Sequence, residues 1–175
     1  MKQRVFGITG WKNSGKTTLT ERLVTELSRR GFRIATVKHA HHDFDIDQPG
    51  TDSFRHRAAG AAEVAIVSGR RWALMHELKG DSEPSLEEIL SRLSPVDLVL
   101  VEGYKRERHA KLEVRRLQAR QSTPLSASDP AIVAIAADHR VDGETLPVFA
   151  LDDIAAIADF IERQCGLAAP DKPAG

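Results

Sequence analysis

The chain has 175 residues, 41% hydrophobic and 29% charged, with 25 basic residues balancing 25 acidic ones. That length fits one domain with a real core, and zero net charge excludes a global attraction to nucleic acid or an anionic membrane. Cys165 is the only cysteine, so an internal disulfide is excluded; with no apolar signal-peptide stretch at the start and no run near the roughly 20 apolar residues of a membrane span, a cytoplasmic protein is expected.

Residues 5–9 are a short apolar run ending at a glycine, read as a buried strand. Over 17–30, Leu19, Leu23, Val24 and Leu27 recur at helical spacing, and Gly31 supplies a stop. Residues 33–37 are the next strand. Strand, glycine loop, helix and strand predict a parallel pair joined by a right-handed crossover. A polar loop covers 39–50; Thr51 or Asp52 caps a helix that reaches Ala59 and stops at Gly60. Residues 63–67 and 72–78 form a hairpin turned at Ser68-Gly69-Arg70. Ser85 and Glu88 have capping-box spacing, ahead of a helix that buries Leu86, Ile89, Leu90 and Leu93.

Residues 96–101 form the most hydrophobic strand. A basic stretch follows over 105–120, then strands at 132–136 and 147–150. Asp152 or Asp153 starts a last helix that reaches Gln164. Strands alternate with helices, so the class is α/β with a mostly parallel central sheet flanked by helices. One domain is expected over 1–165, with a disordered tail over 166–175.

The chemistry concentrates in Gly10-Trp11-Lys12-Asn13-Ser14-Gly15-Lys16-Thr17, which matches G-x-x-x-x-G-K-[ST] at every fixed position. Phosphates need several inward N–H groups, and glycines let the chain wrap that tightly. The following helix turns its positive end toward the same anion. Lys16 is expected to reach the β- and γ-phosphates, as a catalytic residue, and the Thr17 hydroxyl to sit on Mg²⁺. Such a site needs a carboxylate at a neighbouring strand end. Glu102, closing the run from Asp97, is the candidate, at the sheet edge where open α/β folds bind ligands; Asp97, at the opposite end, reads as structural. In the loop after the second strand, His39, His41, His42 and Asp43 invite a metal reading, but no cysteine lies nearby and a zinc site is not favoured. The loop's position favours a switch instead, with Asp45 and Asp47 as catalytic candidates that approach magnesium or position water. Arg55 and Arg57 stand two apart on the next helix, so at most one aims at phosphate.

Taken together, GWKNSGKTT, VKHAHHDFDIDQPGTDSFRHRAAGA, RRWALM and LVLVEGYK resemble the molybdopterin-guanine dinucleotide biosynthesis adaptor protein B (MobB) family, over about residues 4 to 165. The K-H-x-H-H-D-x-D-x-D-x-P-G-x-D-S run is far more specific than the phosphate loop alone. The resemblance implies a P-loop NTPase-like three-layer fold, with residues 1–165 as one nucleotide-binding domain. It also implies a GTP-binding protein with weak GTPase activity and Mg²⁺, a homodimer, and a partner in the guanylyltransferase that joins GMP to molybdopterin. It assigns residues 10–18, Thr18 included, to the phosphates, and Thr17 and Glu102 to magnesium. One departure stands out: an N-K-x-D guanine motif is missing, and Asp138, after the strand at 132–136, is the substitute candidate for the base.

The basic stretch contains Lys105, Arg106, Arg108, His109, Lys111, Arg115, Arg116 and Arg120, opposed by Glu107 and Glu113. A solvated charged face is the plain reading, and two functional uses remain open beside it. It contacts molybdopterin or an acidic partner surface, or it closes over the nucleotide as a kinase lid does. A small-molecule or nucleotide kinase is therefore the alternative to an adaptor, and an anion-binding interaction module is a third reading. The hairpin over 63–78 is the expected dimer contact.

Overall fold

The computed structural model describes residues 3–40, 44–119 and 123–168. The elements run β1 (Val5–Gly10), α1 (Lys16–Arg29), β2 (Ile34–Lys38), α2 (Asp52–Ala58), β3 (Glu63–Val67), β4 (Trp72–His76), α3 (Leu86–Arg92), β5 (Leu98–Glu102), β6 (Lys111–Arg115), β7 (Ile132–Ala137), β8 (Val148–Ala150) and α4 (Ile154–Cys165). They divide into two compact units, one of residues 1–39 with 90–175 and one of residues 40–89.

The first unit is built on a six-stranded sheet in the order β2-β5-β1-β6-β7-β8. All its pairings are parallel, as the alternation of strands and helices predicts. The expected β1–β2 pair does not form. β5, more than 60 residues downstream of β2 in sequence, lies between them, because its four buried residues Leu98–Val101 need a neighbour on both edges and both faces covered. β1 sits at the centre, with β5 on one side and β6 on the other.

α1 and α4 pack on each other and on β1. Leu19, Leu23 and Leu27 repeat every four residues and are buried with Phe6, Ile8, Leu100, Leu112, Ile157 and Ile161. Each such side chain contributes about 1.5–3 kcal/mol relative to its exposed state. α1 ends in a Schellman turn: Phe32 N–H donates to Leu27 O at 3.1 Å and Gly31 N–H to Ser28 O at 2.9 Å, with Gly31 at φ 96°. The Arg30 guanidinium joins α1 to α4, at 2.8 Å from Glu26, 2.5 Å from Asp159 and 2.6 Å from Glu162. Asp153 caps α4 by accepting from Ala156 N–H at 3.1 Å. Asp97 is structural, as expected: it accepts from Arg33 N–H at 2.7 Å.

The basic stretch over 105–120 is not one solvated face or one lid. Its middle is β6, buried from Lys111 to Val114. Leu112 and Val114 join the apolar core, while the alternate residues carry buried charge with partners in place. Lys111 Nζ lies 2.7 Å from Asp129 and 2.8 Å from Lys105 O. Glu113 accepts from the Leu125 and Ser126 N–H groups at 2.8 and 3.1 Å and pairs with Arg115 at 2.8 Å. Paired and hydrogen-bonded charge is what allows such a strand inside a sheet.

In the second unit β3 and β4 form an antiparallel hairpin in the predicted place. The Ser68 hydroxyl accepts from Arg70 and Arg71 N–H in the turn. Val64 and Met75 are buried; on the opposite face Ala65 and Val67 stand across from Leu74 and Trp72, all exposed. The capping box forms as read: Ser85 Oγ accepts from Glu88 N–H at 3.2 Å, and Glu88 accepts from Ser85 N–H at 2.7 Å. No helix among the described residues is long and apolar enough to cross a membrane.

Candidate functional site: a phosphate loop with a paired carboxylate

β1 runs straight into the loop. Gly10 takes φ 149°, Asn13 φ 65° and Gly15 φ 90°. These left-handed and extended-positive turns fold the segment back on itself, and Gly10 is required for a second reason. A Cβ there would come 2.6 Å from Ser14 Oγ and 2.7 Å from Val114 O. α1 then begins without a side-chain cap, and the first helical N–H to find a helical acceptor is that of Leu19, on Gly15 O at 3.0 Å. The N–H groups of Lys16, Thr17 and Thr18 precede it at the positive end of the helix dipole, which is an anion site by construction. Lys12, Asn13, Thr17 and Thr18 are exposed, whereas Ser14 is buried, with its hydroxyl lacking a hydrogen-bond partner.

Lys16 folds back over the loop and donates to Trp11 O at 2.8 Å. Burial pushes its ammonium pKa down; Glu102 opposes that, and Lys105 and Lys38 reinforce it. Three ammonium groups thus crowd one glycine loop, an arrangement relieved by a bound polyanion. Trp11 is fixed from both sides: its Nε1–H donates to Thr123 O at 2.8 Å, and Lys105 Nζ stands 4.5 Å from its ring.

Glu102 closes β5 one strand away from the loop. Thr17 Oγ1 donates to its carboxylate, at 3.0 Å from Oε1 and 3.2 Å from Oε2, and Lys38 Nζ is 3.9 Å from Oε1. The two residues assigned to magnesium from the sequence are therefore side by side. A hydroxyl and a carboxylate in contact, both oxygen donors, fit a hard divalent cation that retains waters.

Asp138 follows β7 and borders an open groove of about 670 Å³ that also involves Arg116, His139, Ala150 and Leu151. Its Oδ1 accepts from Leu117 N–H at 3.0 Å and contacts His139 Nδ1 at 2.9 Å. The His139 contact is the main cause of its lowered pKa, so a carboxylate, not an acid, faces the groove.

Asp45 and Asp47 belong to the second unit, where both are engaged by that unit's own residues. Arg57 lies 2.7 Å from Asp45, 2.6 Å from Glu77 and 3.5 Å from Asp47; it is Arg57, not Arg55, that holds the aspartates. Asp47 also accepts from the Thr51 and Ser53 hydroxyls at 2.9 Å each. The Arg57 contact lowers the Asp45 pKa. For Asp47 burial works upward, but the Ser53 and Thr51 hydroxyls outweigh it and leave the carboxyl lowered. His41, His42 and Asp43 lie outside the described residues; among those described, no three His, Cys, Asp or Glu side chains gather as metal ligands.

Of the three basic residues Lys38, Lys105 and Arg116, only Lys38 carries no assignment from the sequence; it stands at the end of β2, a position that marks ligand contact in open α/β sheets. Lys105 and Arg116 belong to the basic stretch read from the sequence as a contact for molybdopterin or an acidic partner, or as a cover over the nucleotide.

A glycine loop between β1 and α1, facing an acid on the adjacent parallel strand, defines a P-loop NTPase fold. The model of the family described as molybdopterin guanine dinucleotide synthesis protein B matches residues 5–138, and the chain belongs to that family. It is 37% identical over 159 residues to the molybdopterin-guanine dinucleotide biosynthesis adapter protein of Escherichia coli, covering 90% of each chain. It is 38% identical over 160 residues to that of Haemophilus influenzae, covering 91% of this chain and 88% of the relative. Among solved structures, a MobB homolog from Bacillus stearothermophilus superimposes with a TM-score of 0.70 at 30% identity, over 95% of this chain and all (100%) of that one. Bacillus subtilis MobB gives a TM-score of 0.74 at 25% identity, over 93% and 98% of the two chains.

Proposed function

We propose that the protein is a GTP-binding adapter of molybdopterin guanine dinucleotide biosynthesis, with slow GTPase activity that requires Mg²⁺. The observation that carries this is the contact of Thr17 with Glu102 beside an uncapped helix N-terminus. It is the oxygen pair a magnesium-bound triphosphate needs, already assembled. The curated relatives' names supply the pathway and the adapter role. The partners are then the guanylyltransferase that consumes GTP and, through it, molybdopterin. Lys16 neutralises the β- and γ-phosphates, and Mg²⁺, held by Thr17 and Glu102, supplies further charge neutralisation at the γ end. The groove beside Asp138 receives the base; a carboxylate there suits the N1–H and amino donors of guanine and repels the acceptor N1 of adenine.

Neither the kinase lid nor the solvated-face reading of residues 105–120 has support from β6, whose charges pair internally. A homodimer is part of the proposal, joined through the exposed apolar face of Val67, Trp72 and Leu74 on the hairpin. The test is phosphate release from GTP and ATP by purified protein with Mg²⁺, with and without the transferase. Slow release favouring GTP is expected. Equal or faster use of ATP would remove the guanine reading.

A further inference from the structure

Arg116, the first residue past β6, is an exposed cation with an unusual seat. Its guanidinium lies against the glycine of the phosphate loop: a Cβ on Gly15 would come 3.0 Å from Nε and 3.1 Å from Cζ. The same side chain borders the 670 Å³ groove beside Asp138 and a smaller cavity of about 100 Å³ behind the loop. Among the described residues no carboxylate is in close ion-pair contact with it, although its charge helps to lower the Asp138 pKa; Arg115 next to it pairs closely with Glu113 and Glu144 at 2.8 and 2.7 Å. A guanidinium against Gly15, at a helix N-terminus, adds like charge to like charge. That is unfavourable in the free protein; the Asp138 carboxylate offsets it in part, and a bound anion offsets it further.

The strand order says which anion. Along the C-terminal edge of the sheet come Glu102 after β5, the phosphate loop after β1, Arg116 after β6 and Asp138 after β7. From β5 to β7 is three strand spacings, about 14 Å. A ligand with its metal-bound end at Glu102 and its base in the groove by Asp138 must cross β6 between them. What crosses there is the phosphate nearest the sugar. We propose that Arg116 binds the α-phosphate of the nucleotide, joining the phosphate loop to the base groove. This rests on the nucleotide reading of the loop. Arg suits the post, since its planar donors stay charged and match phosphoryl oxygens in pairs. Gly15 suits it too, because any side chain would lift the guanidinium off the loop.

The experiment is equilibrium binding, with Mg²⁺, of GTP, GDP and the two α-phosphorothioate diastereomers of GTP to wild type, Arg116→Ala and Arg116→Lys. Loss of a charge-assisted contact weakens GTP and GDP alike by about 10- to 100-fold, with partial recovery in Arg116→Lys. Wild type prefers one diastereomer, and that preference collapses in Arg116→Ala, a change that general loosening of the loop would not produce. Thermal midpoints stay at the wild-type value because the side chain is exposed and makes no close ion pair with a described residue. An unchanged diastereomer ratio, or weakening of GTP alone, overturns the assignment while leaving the nucleotide reading intact. Absence of binding by wild type would remove both.

Discussion

His109 ties the stability of the sheet to pH. Its ring lies over Gly7 of β1, where a Cβ would come 2.6 Å from Nε2, and that nitrogen is buried without a hydrogen-bond partner. Burial, and then the enclosed Lys111 ammonium, pull its pKa from 6.5 to about 4 against the opposing pull of Asp129. Below pH 6.5 the unfolded chain takes up a proton that the folded chain refuses, so stability is full above that pH and falls as pH drops toward 4. At 1.36 kcal/mol per pH unit the ceiling is about 3 kcal/mol. The ring is only partly buried, and solvent screening brings the expected loss to roughly 1–2 kcal/mol. Urea unfolding at steps from pH 7.5 to 4.5 measures it. His109→Gln keeps a side chain of similar length without the titration, and its stability should fall less over this range by that amount. Parallel pH profiles for the two proteins would refute the reasoning.

Other consequences are local. Leu23→Ala empties a fully buried site (0% exposed) in the α1 face and should cost about 2–5 kcal/mol in denaturant unfolding. Gly31→Ala forces a Cβ into a left-handed residue at φ 96° and should cost about 1–2 kcal/mol by the same assay. Glu102→Gln should raise the Mg²⁺ concentration needed for nucleotide binding by about 10- to 100-fold. In EDTA its nucleotide affinity should match or exceed that of wild type, since a negative charge beside the phosphates is gone; a loss in EDTA as large as the loss with Mg²⁺ would argue against the metal role. Glu26, held down to about 2 by Arg29 and Arg30, stabilises the fold above pH 4.5, and this contribution fades as pH falls toward 2. Glu26→Gln should therefore show a flatter acid limb in thermal scans than wild type.

Much of this was legible in the chain because the signals are local. The glycine loop, the α1 stripe, the Ser85–Glu88 box and the hairpin each depend on residues within a few positions of one another. Glu102 was legible because an apolar run ended in an acid. What the sequence concealed is non-local. β5 separates β1 from β2 through a pairing that spans more than 60 residues, and no local pattern announces it. β6 was concealed by its own composition: Lys111 and Glu113 read as surface until Asp129 and the Leu125 and Ser126 N–H groups show how a charged strand is buried. Arg116 stands out in the sequence as one of a run of basic residues, but its position beside Gly15 exists only because β6 lies next to β1.

The guanine reading of Asp138 and the triphosphate reading of the loop meet in one titration. Calorimetry of the full chain with GTP and then ATP, each with Mg²⁺, should give saturable heat for GTP, weaker binding of ATP, and none for GTP with Lys16→Ala. A folded wild-type protein that gives no heat with millimolar GTP and Mg²⁺ would contradict the account at its base.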